Sequence, residues 1–155
     1  MNLIEKGYAL LIRWASSLQA PFLLAVRLYW GWQYHITGHG KLQDISKVTG
    51  YFTDLGIPAP AANAWFISGL EFIGGLLLIL GLASRPIALL LTIDMIVAFV
   101  VGDREALGSI FSDPDKFYAA APYTFLFASL IVLIFGPGKF SLDALIAARR
   151  AKSKK

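Results

Sequence analysis

Glu71 is a carboxylic acid inside an apolar stretch of the sequence. The run from Gly69 to Leu82 has Glu71 as its single charged residue. A charge at the centre of a membrane span costs about 2.5–3.5 kcal/mol on insertion scales, so such a residue needs compensation from another segment. Arg27 and Asp94 lie inside two other apolar stretches. Together these residues could bind a polar group of a ligand or exchange protons, and we predict catalytic roles for Glu71, Arg27 and Asp94.

Depth estimates place all three charges in the middle of the hydrocarbon. At about 1.5 Å rise per residue, Arg27, Asp94 and Glu71 lie about 9, 12 and 16 Å from the inner boundary. Small residues near each charge at helical spacing allow close approach of the helices. We therefore predict that Arg27, Glu71 and Asp94 meet inside a helical bundle, with His35 above them towards the outer face.

One cation does not balance two carboxylates. Either one acid is protonated, or His35, Lys41 or a bound ligand supplies the remaining charge. An unbalanced pair of acids is an arrangement suited to accepting and releasing protons. The same charges could instead form an ion-paired lock between short helices, and the pattern does not separate these two interpretations.

His35 and His39 are four residues apart, a spacing that can hold a metal ion or a haem. The sequence has no further histidine and no cysteine, so no metal site is predicted. The lack of cysteine also excludes Fe–S clusters, zinc thiolates and thiol redox chemistry in this chain. We expect His39 to be interfacial and His35 to form a hydrogen bond within the bundle or with a ligand.

The composition predicts a membrane protein. The chain is 57% hydrophobic and 15% charged, with a mean hydropathy of +0.63, against about 45–50% and 25% in soluble domains. We predict an all-α fold, an integral membrane four-helix bundle that forms a single domain over residues 1–155. The predicted spans are 21–38, 64–82, 86–101 and 119–135. Residues 1–18 are amphipathic and are predicted to be an interfacial helix, or else an extension of the first span.

The distribution of Lys and Arg predicts the orientation in the membrane. Nine lie in the N-terminal segment, at Arg85 and in the basic tail 139–155, against four in the two other connections. The positive-inside rule then places both termini in the cytoplasm. The tail suits contact with anionic membrane lipid, and its lack of interleaved aromatic residues argues against a nucleic-acid partner.

Four short motifs follow one another along the chain. They are Gly38–His39–Gly40–Lys41–Leu42, Gly56–Ile57–Pro58, Glu71 before Gly74–Gly75–Leu76, and Gly136–Pro137–Gly138 before Ser141–Leu142–Asp143. This order resembles the DoxX family over residues 22–143. The resemblance implies a multi-pass protein of a bacterial or archaeal inner membrane, linked to quinone-dependent redox systems. The family takes its name from a small subunit of a thiosulfate:quinone oxidoreductase.

Three functional hypotheses follow. The first is an accessory subunit without an intrinsic cofactor that binds a quinone and serves a redox partner protein. Arg27 would orient a ligand oxygen and Glu71 would exchange protons. The predicted ligand contacts are His35, His39, Lys41, Trp30 and Trp65. The second hypothesis is a non-catalytic scaffold or assembly factor whose buried charges are structural. The third is a small transporter or proton path, for which the expected repeats and interrupted spans are not visible unless the chain forms a homo-oligomer.

Overall fold

The computed structural model describes residues 3–153, and every regular element in that range is helical. The all-α prediction is therefore confirmed. In chain order the helices are α1 (Leu3–Gln43), α2 (Ile45–Asp54), α3 (Pro60–Leu80), α4 (Ser84–Val97), a π-helical turn (Ala98–Gly102), α5 (Arg104–Gly108), α6 (Pro114–Ala119), α7 (Ala121–Phe135) and α8 (Leu142–Lys152). The first two residues of the predicted interfacial helix and the last two of the basic tail lie outside the described range.

Helix α1 is continuous for 41 residues, with Pro21 inside it. A proline in a helix removes one backbone hydrogen bond, but the leucine, alanine and glutamine residues around it favour helix. The segment before Pro21 therefore continues the helix of the first span without a break, and its predicted place at the membrane interface stays a prediction. At about 1.5 Å per residue, α1 is about 60 Å long.

Within the described range, three helical segments are long and apolar enough to cross a membrane: Ile4–Gln43, Pro60–Leu80 and Ser84–Gly102. Helix α7 is also apolar but shorter. Helix α1 packs along α3, and α4 packs along α7. The buried core lies where these four helices meet, and consists of Tyr34, Leu78, Ala88, Leu91, Met95 and Val132.

Glycines bring α1 and α3 into backbone contact. A Cβ atom on Gly38 would lie 2.8 Å from Phe72 Cα, and one on Gly75 would lie 2.5 Å from the carbonyl oxygen of Gly31. Side chains at these positions would push the helices apart, so the glycines set the distance between them. This close approach brings residues at the end of α1 over the middle of α3.

Candidate functional site

A cavity of about 800 Å³ lies between the end of α1, α2, α3 and α4. Its walls are mostly apolar, and the ionisable residues that line it include Lys41 of α1, Glu71 of α3 and Asp94 of α4. Cavities of about 300–1,000 Å³ with mainly apolar walls and a few converging polar groups are typical of small-molecule sites. This cavity is therefore the candidate functional site.

Lys41 and Glu71 form an ion pair in the wall of this cavity. Lys41 Nζ lies 2.7 Å from Glu71 Oε1, and the side chain of Glu71 is 2% exposed whereas that of Lys41 is 32% exposed. Lys41 stands in the last turn of α1 and Glu71 near the middle of α3. The ammonium group therefore donates a charge-assisted hydrogen bond to a carboxylate that would otherwise be buried without a counter-charge.

Asp94 of α4 completes the cluster. The carboxyl groups of Asp94 and Glu71 are both buried, both line the cavity, and act on each other electrostatically. Glu71 Oε2 and Asp94 Oδ2 are buried and receive no hydrogen bond from a donor in the described part of the chain. Two carboxylates beside one ammonium carry a net negative charge, and a single proton held between the carboxyls would both neutralise the cluster and bridge the two acids.

Arg27 does not join this cluster, so the predicted meeting of Arg27 with the two acids is wrong. Its guanidinium donates to the carbonyl oxygens of Leu78 at 2.9 Å and Ile79 at 3.1 Å, and to that of Pro137. The last carbonyls of a helix lack partners within the helix and carry partial negative charge. Arg27 therefore satisfies the end of α3 and ties it to the turn after α7.

The two histidines predicted to contact a ligand, His35 and His39, do not line the cavity. His35 stacks on Phe72, with ring centroids 4.4 Å apart, and its Nδ1 lies 3.0 Å from the carbonyl oxygen of Phe72. A carbonyl can only accept, so Nδ1 carries the hydrogen of this bond. His39 is exposed, with its ring 5.9 Å from that of Phe72.

The two tryptophans predicted to contact a ligand also lie outside the cavity wall. Trp30 packs edge-on against Phe125 of α7, with ring centroids 5.3 Å apart, and Trp65 is 59% exposed on the outer surface of α3. Of the residues predicted to act on or bind a ligand, the structure therefore brings together Lys41, Glu71 and Asp94.

Comparison with known proteins identifies the family. The family model for DoxX matches residues 22–104, which include Lys41, Glu71 and Asp94. An uncharacterised membrane protein of Mycobacterium tuberculosis is 30% identical over 146 residues, which cover 88% of this chain and 90% of that protein. The chain belongs to the DoxX family. The Bacillus subtilis protein named "Putative oxidoreductase CatD" is 26% identical to this DoxX protein over 123 residues, covering 79% of the chain and 85% of the relative. No solved structure matches it.

Helix α2 contributes a wall to the cavity of this DoxX protein that the sequence does not predict. Val48, Tyr51, Phe52 and Leu55 line it from this side. Their spacing of three and four residues predicts an amphipathic surface helix. The spacing does not predict which surface of the bundle the apolar face of this helix covers.

The π-helical turn at the end of α4 also forms part of the wall, through Ala98, Val101 and Gly102. A Cβ atom on Gly102 would lie 2.9 Å from the Tyr51 hydroxyl, so α2 closes on this turn. Single π-helical turns occur frequently at functional sites. No feature of the sequence indicates this turn in advance.

Proposed function

We propose that this DoxX protein is a multi-pass subunit of a membrane redox system that binds a quinone in the cavity beside Lys41, Glu71 and Asp94. The observation that carries the proposal is the combination of a large apolar cavity with a buried acid pair and a lysine in one wall. The printed name of the Bacillus relative, which includes the word oxidoreductase, supports the same class.

The position of the cavity favours a lipid-soluble ligand. Phe66, Ile93 and Val97 line the cavity and are also 58%, 49% and 47% exposed. These residues belong to α3 and α4, which are both apolar enough to span a membrane. The cavity therefore opens on a surface that faces lipid, and a molecule with an apolar body and a polar head could enter from the bilayer.

The residues present fit the oxygens of a quinone. A bound quinone supplies redox chemistry in which electron transfer is coupled to proton uptake at its oxygens. Lys41 can donate a hydrogen bond to one oxygen while it remains paired with Glu71. Glu71 and Asp94 can hold one proton between them and pass it to or accept it from a ligand oxygen. The apolar walls exclude water, and a partner protein would supply or remove the electrons.

The proposed topology places both termini in the cytoplasm. The count of nine basic residues on that side against four on the other supports it through the positive-inside rule. Lys41 then lies towards the outer surface, and its 32% exposed side chain gives the acid pair a route to water on that side. Protons would therefore exchange with the outer compartment.

The test measures binding of decylubiquinone to the purified protein in nanodiscs by calorimetry. We expect Glu71→Gln or Asp94→Asn to weaken binding about tenfold, the effect of one lost hydrogen bond to a charged group. The matched control is Glu105→Gln, which removes an exposed ion pair with Lys116 outside the cavity. Equal affinity in the wild type, the cavity variants and the control would overturn the proposal, as would failure of the wild type to bind.

The second candidate is a scaffold whose charged cluster is structural. The observation that favours it is that the Lys41–Glu71 pair joins α1 to α3. Under this alternative, the wild type binds no quinone, and a stoichiometric partner protein accompanies it through gentle extraction from its own membrane. Substitutions at Glu71 then change the stability of the protein and have no effect on ligand binding, because the cavity binds no quinone.

A further inference from the structure

A second cavity, of about 710 Å³, lies far along α1 from Lys41. Its walls are the part of α1 around Pro21, the end of α7 and the segment 138–144 that leads into α8. A Cβ atom on Gly138 would lie 3.2 Å from Leu23 Cβ, so this segment packs closely on α1. At about 1.5 Å per residue, Pro21 is about 30 Å from Lys41, and the two cavities are therefore separate sites.

This second cavity lies at the level where two apolar segments end. The apolar helix α7 ends at Phe135, the first predicted span begins at Pro21, and both residues line the cavity. Phe135 and Phe140 form part of the wall and are 58% and 57% exposed. The ends of membrane spans lie at the depth of the lipid headgroups. The cavity therefore borders the headgroups on one side and the acyl chains on the other.

The wall of the second cavity carries positive charge. Of the described residues that line it, Lys139 is the one with a charged side chain. Lys139 is exposed and makes no ion pair within residues 3–153. Arg13 lies four residues before Ser17, a lining residue, and so on the same face of α1. No carboxylate in the wall balances this charge, and phosphate is the anion that a membrane supplies at this depth.

The proline in α1 leaves a hydrogen-bond acceptor in the same wall. Pro21 has no backbone N–H, so the carbonyl oxygen of Ser17 does not receive the helical hydrogen bond that residue 21 would otherwise donate. The Oγ of Ser17 donates to the carbonyl oxygen of Trp14 at 2.7 Å and keeps its own lone pairs. Ser17 therefore offers acceptors to a ligand that carries hydroxyl donors beside its phosphate.

We infer that the second cavity binds the headgroup of an anionic glycerophospholipid of the phosphatidylglycerol type. The phosphate accepts a hydrogen bond from the ammonium group of Lys139, and the hydroxyl groups of the headgroup donate to the acceptors of Ser17. The acyl chains pass over Phe135 and Phe140 into the bilayer. Phosphatidylcholine fits less well, because its choline group has no donor and places a second cation beside Lys139. This site goes beyond the proposed quinone site and does not depend on it.

The test titrates the purified full-length protein, in a mild detergent, with phosphatidylglycerol or with phosphatidylcholine of the same acyl chains. Native mass spectrometry measures the bound lipid. We expect the wild type to prefer phosphatidylglycerol, and Lys139→Gln to weaken its binding about tenfold, the effect of one lost hydrogen bond to a charged group. The matched control is Lys152→Gln, which removes the same charge from the exposed end of α8, outside the cavity wall, and should keep the wild-type affinity.

A second variant, Ala144→Phe, keeps every charge and fills part of the cavity, so it should also weaken binding of phosphatidylglycerol. Its thermal unfolding midpoint checks that it is folded. Equal losses in Lys139→Gln and Lys152→Gln would overturn the inference, since they would show a diffuse attraction of the lipid to the basic tail. Wild-type affinity in folded Ala144→Phe, equal affinity of the wild type for the two lipids, or no retained phosphatidylglycerol would overturn it as well.

Discussion

The Nζ atom of Lys41 lies 2.7 Å from Oε1 of Glu71, so the last turn of α1 is tied to the middle of α3 by an ion pair. Gly38, one turn before Lys41, lets the two helices touch at the backbone and so brings the lysine within reach of the acid. The side chain of Lys41 is accessible to water, whereas that of Glu71 is buried. This relationship supplies the counter-charge that Glu71 requires, and it places both groups in the wall of the same cavity.

Replacement of Lys41 by Met should destabilise the protein by about 3 kcal/mol, because it leaves the buried Glu71 without its cation. The matched control is Lys47→Met, which removes an exposed lysine from the rim of the same cavity and should have little effect. The measurement is the thermal unfolding midpoint in detergent. The double variant Lys41→Met, Glu71→Gln should regain much of the lost stability, since both charges are gone. A double variant no more stable than Lys41→Met would contradict an energetic coupling between the two residues.

Replacement of Arg27 by Lys should lower the unfolding midpoint, because an ammonium group cannot reproduce the planar set of donors that reaches Leu78, Ile79 and Pro137. The expected loss is about 2–3 kcal/mol, the scale of hydrogen bonds to a charged group. Quinone binding by the folded protein should be unchanged, since Arg27 is outside the cavity wall. A loss of affinity at unchanged stability would show that Arg27 acts on the ligand.

The sequence predicted the helices of the bundle well and the partners of its charges less well. Apolar runs of sufficient length identify membrane helices because the bilayer allows few other structures. Depth and charge are the quantities that the sequence offers, and they assign Arg27 to the acids. Depth along the chain does not reveal that carbonyl oxygens at the end of α3 accept hydrogen bonds from the same guanidinium.

Lys41 is one of the candidate counter-charges that the sequence offers, and a seven-residue spacing singles it out. Arg27, Tyr34 and Lys41 are seven residues apart and share one face of α1. Residues at intervals of four, such as Arg27, Gly31 and His35, instead turn gradually away from that face. Gly31 and Gly38 repeat at the same interval, and a Cβ atom at either would collide with α3. The cavity itself was beyond such reasoning, because its volume depends on how α2 folds back over α3 and α4.

Replacement of Gly38 by Ala should separate α1 from α3. The added Cβ atom would lie 2.8 Å from Phe72 Cα, a backbone atom that cannot move without displacing the helix. Overpacking of this kind costs about 1–3 kcal/mol. Gly40→Ala is the matched control, because nothing lies within 4 Å of its added Cβ atom, and the loss of backbone freedom in the unfolded chain should make it neutral or slightly stabilising. Thermal unfolding in detergent measures both, and equal midpoints would contradict the close packing of the helices.

Asp143 should make the protein sensitive to acid. Its carboxylate accepts hydrogen bonds from the backbone N–H groups of Ala83 and Ser84, both at 2.9 Å, and so caps the start of α4. Burial alone would raise the pKa of Asp143, but the bonds from Ser84 and Ala83 and the charge of Arg27 together lower this pKa below its ordinary value.

Because the pKa of Asp143 is lower in the folded state than in the unfolded state, the stabilisation is complete above the unfolded pKa of about 4 and is lost as the pH falls through the folded value. Asp143→Asn should lower stability at neutral pH by about 1–2 kcal/mol, the usual value of a helix cap, and should make the unfolding midpoint less dependent on pH below about 4. The control is Asp115→Asn, an exposed acid in the first turn of α6. If Asp143→Asn and the wild type lose stability in parallel between pH values of about 5 and 2, other carboxylates govern the acid response and the cap contributes little to it.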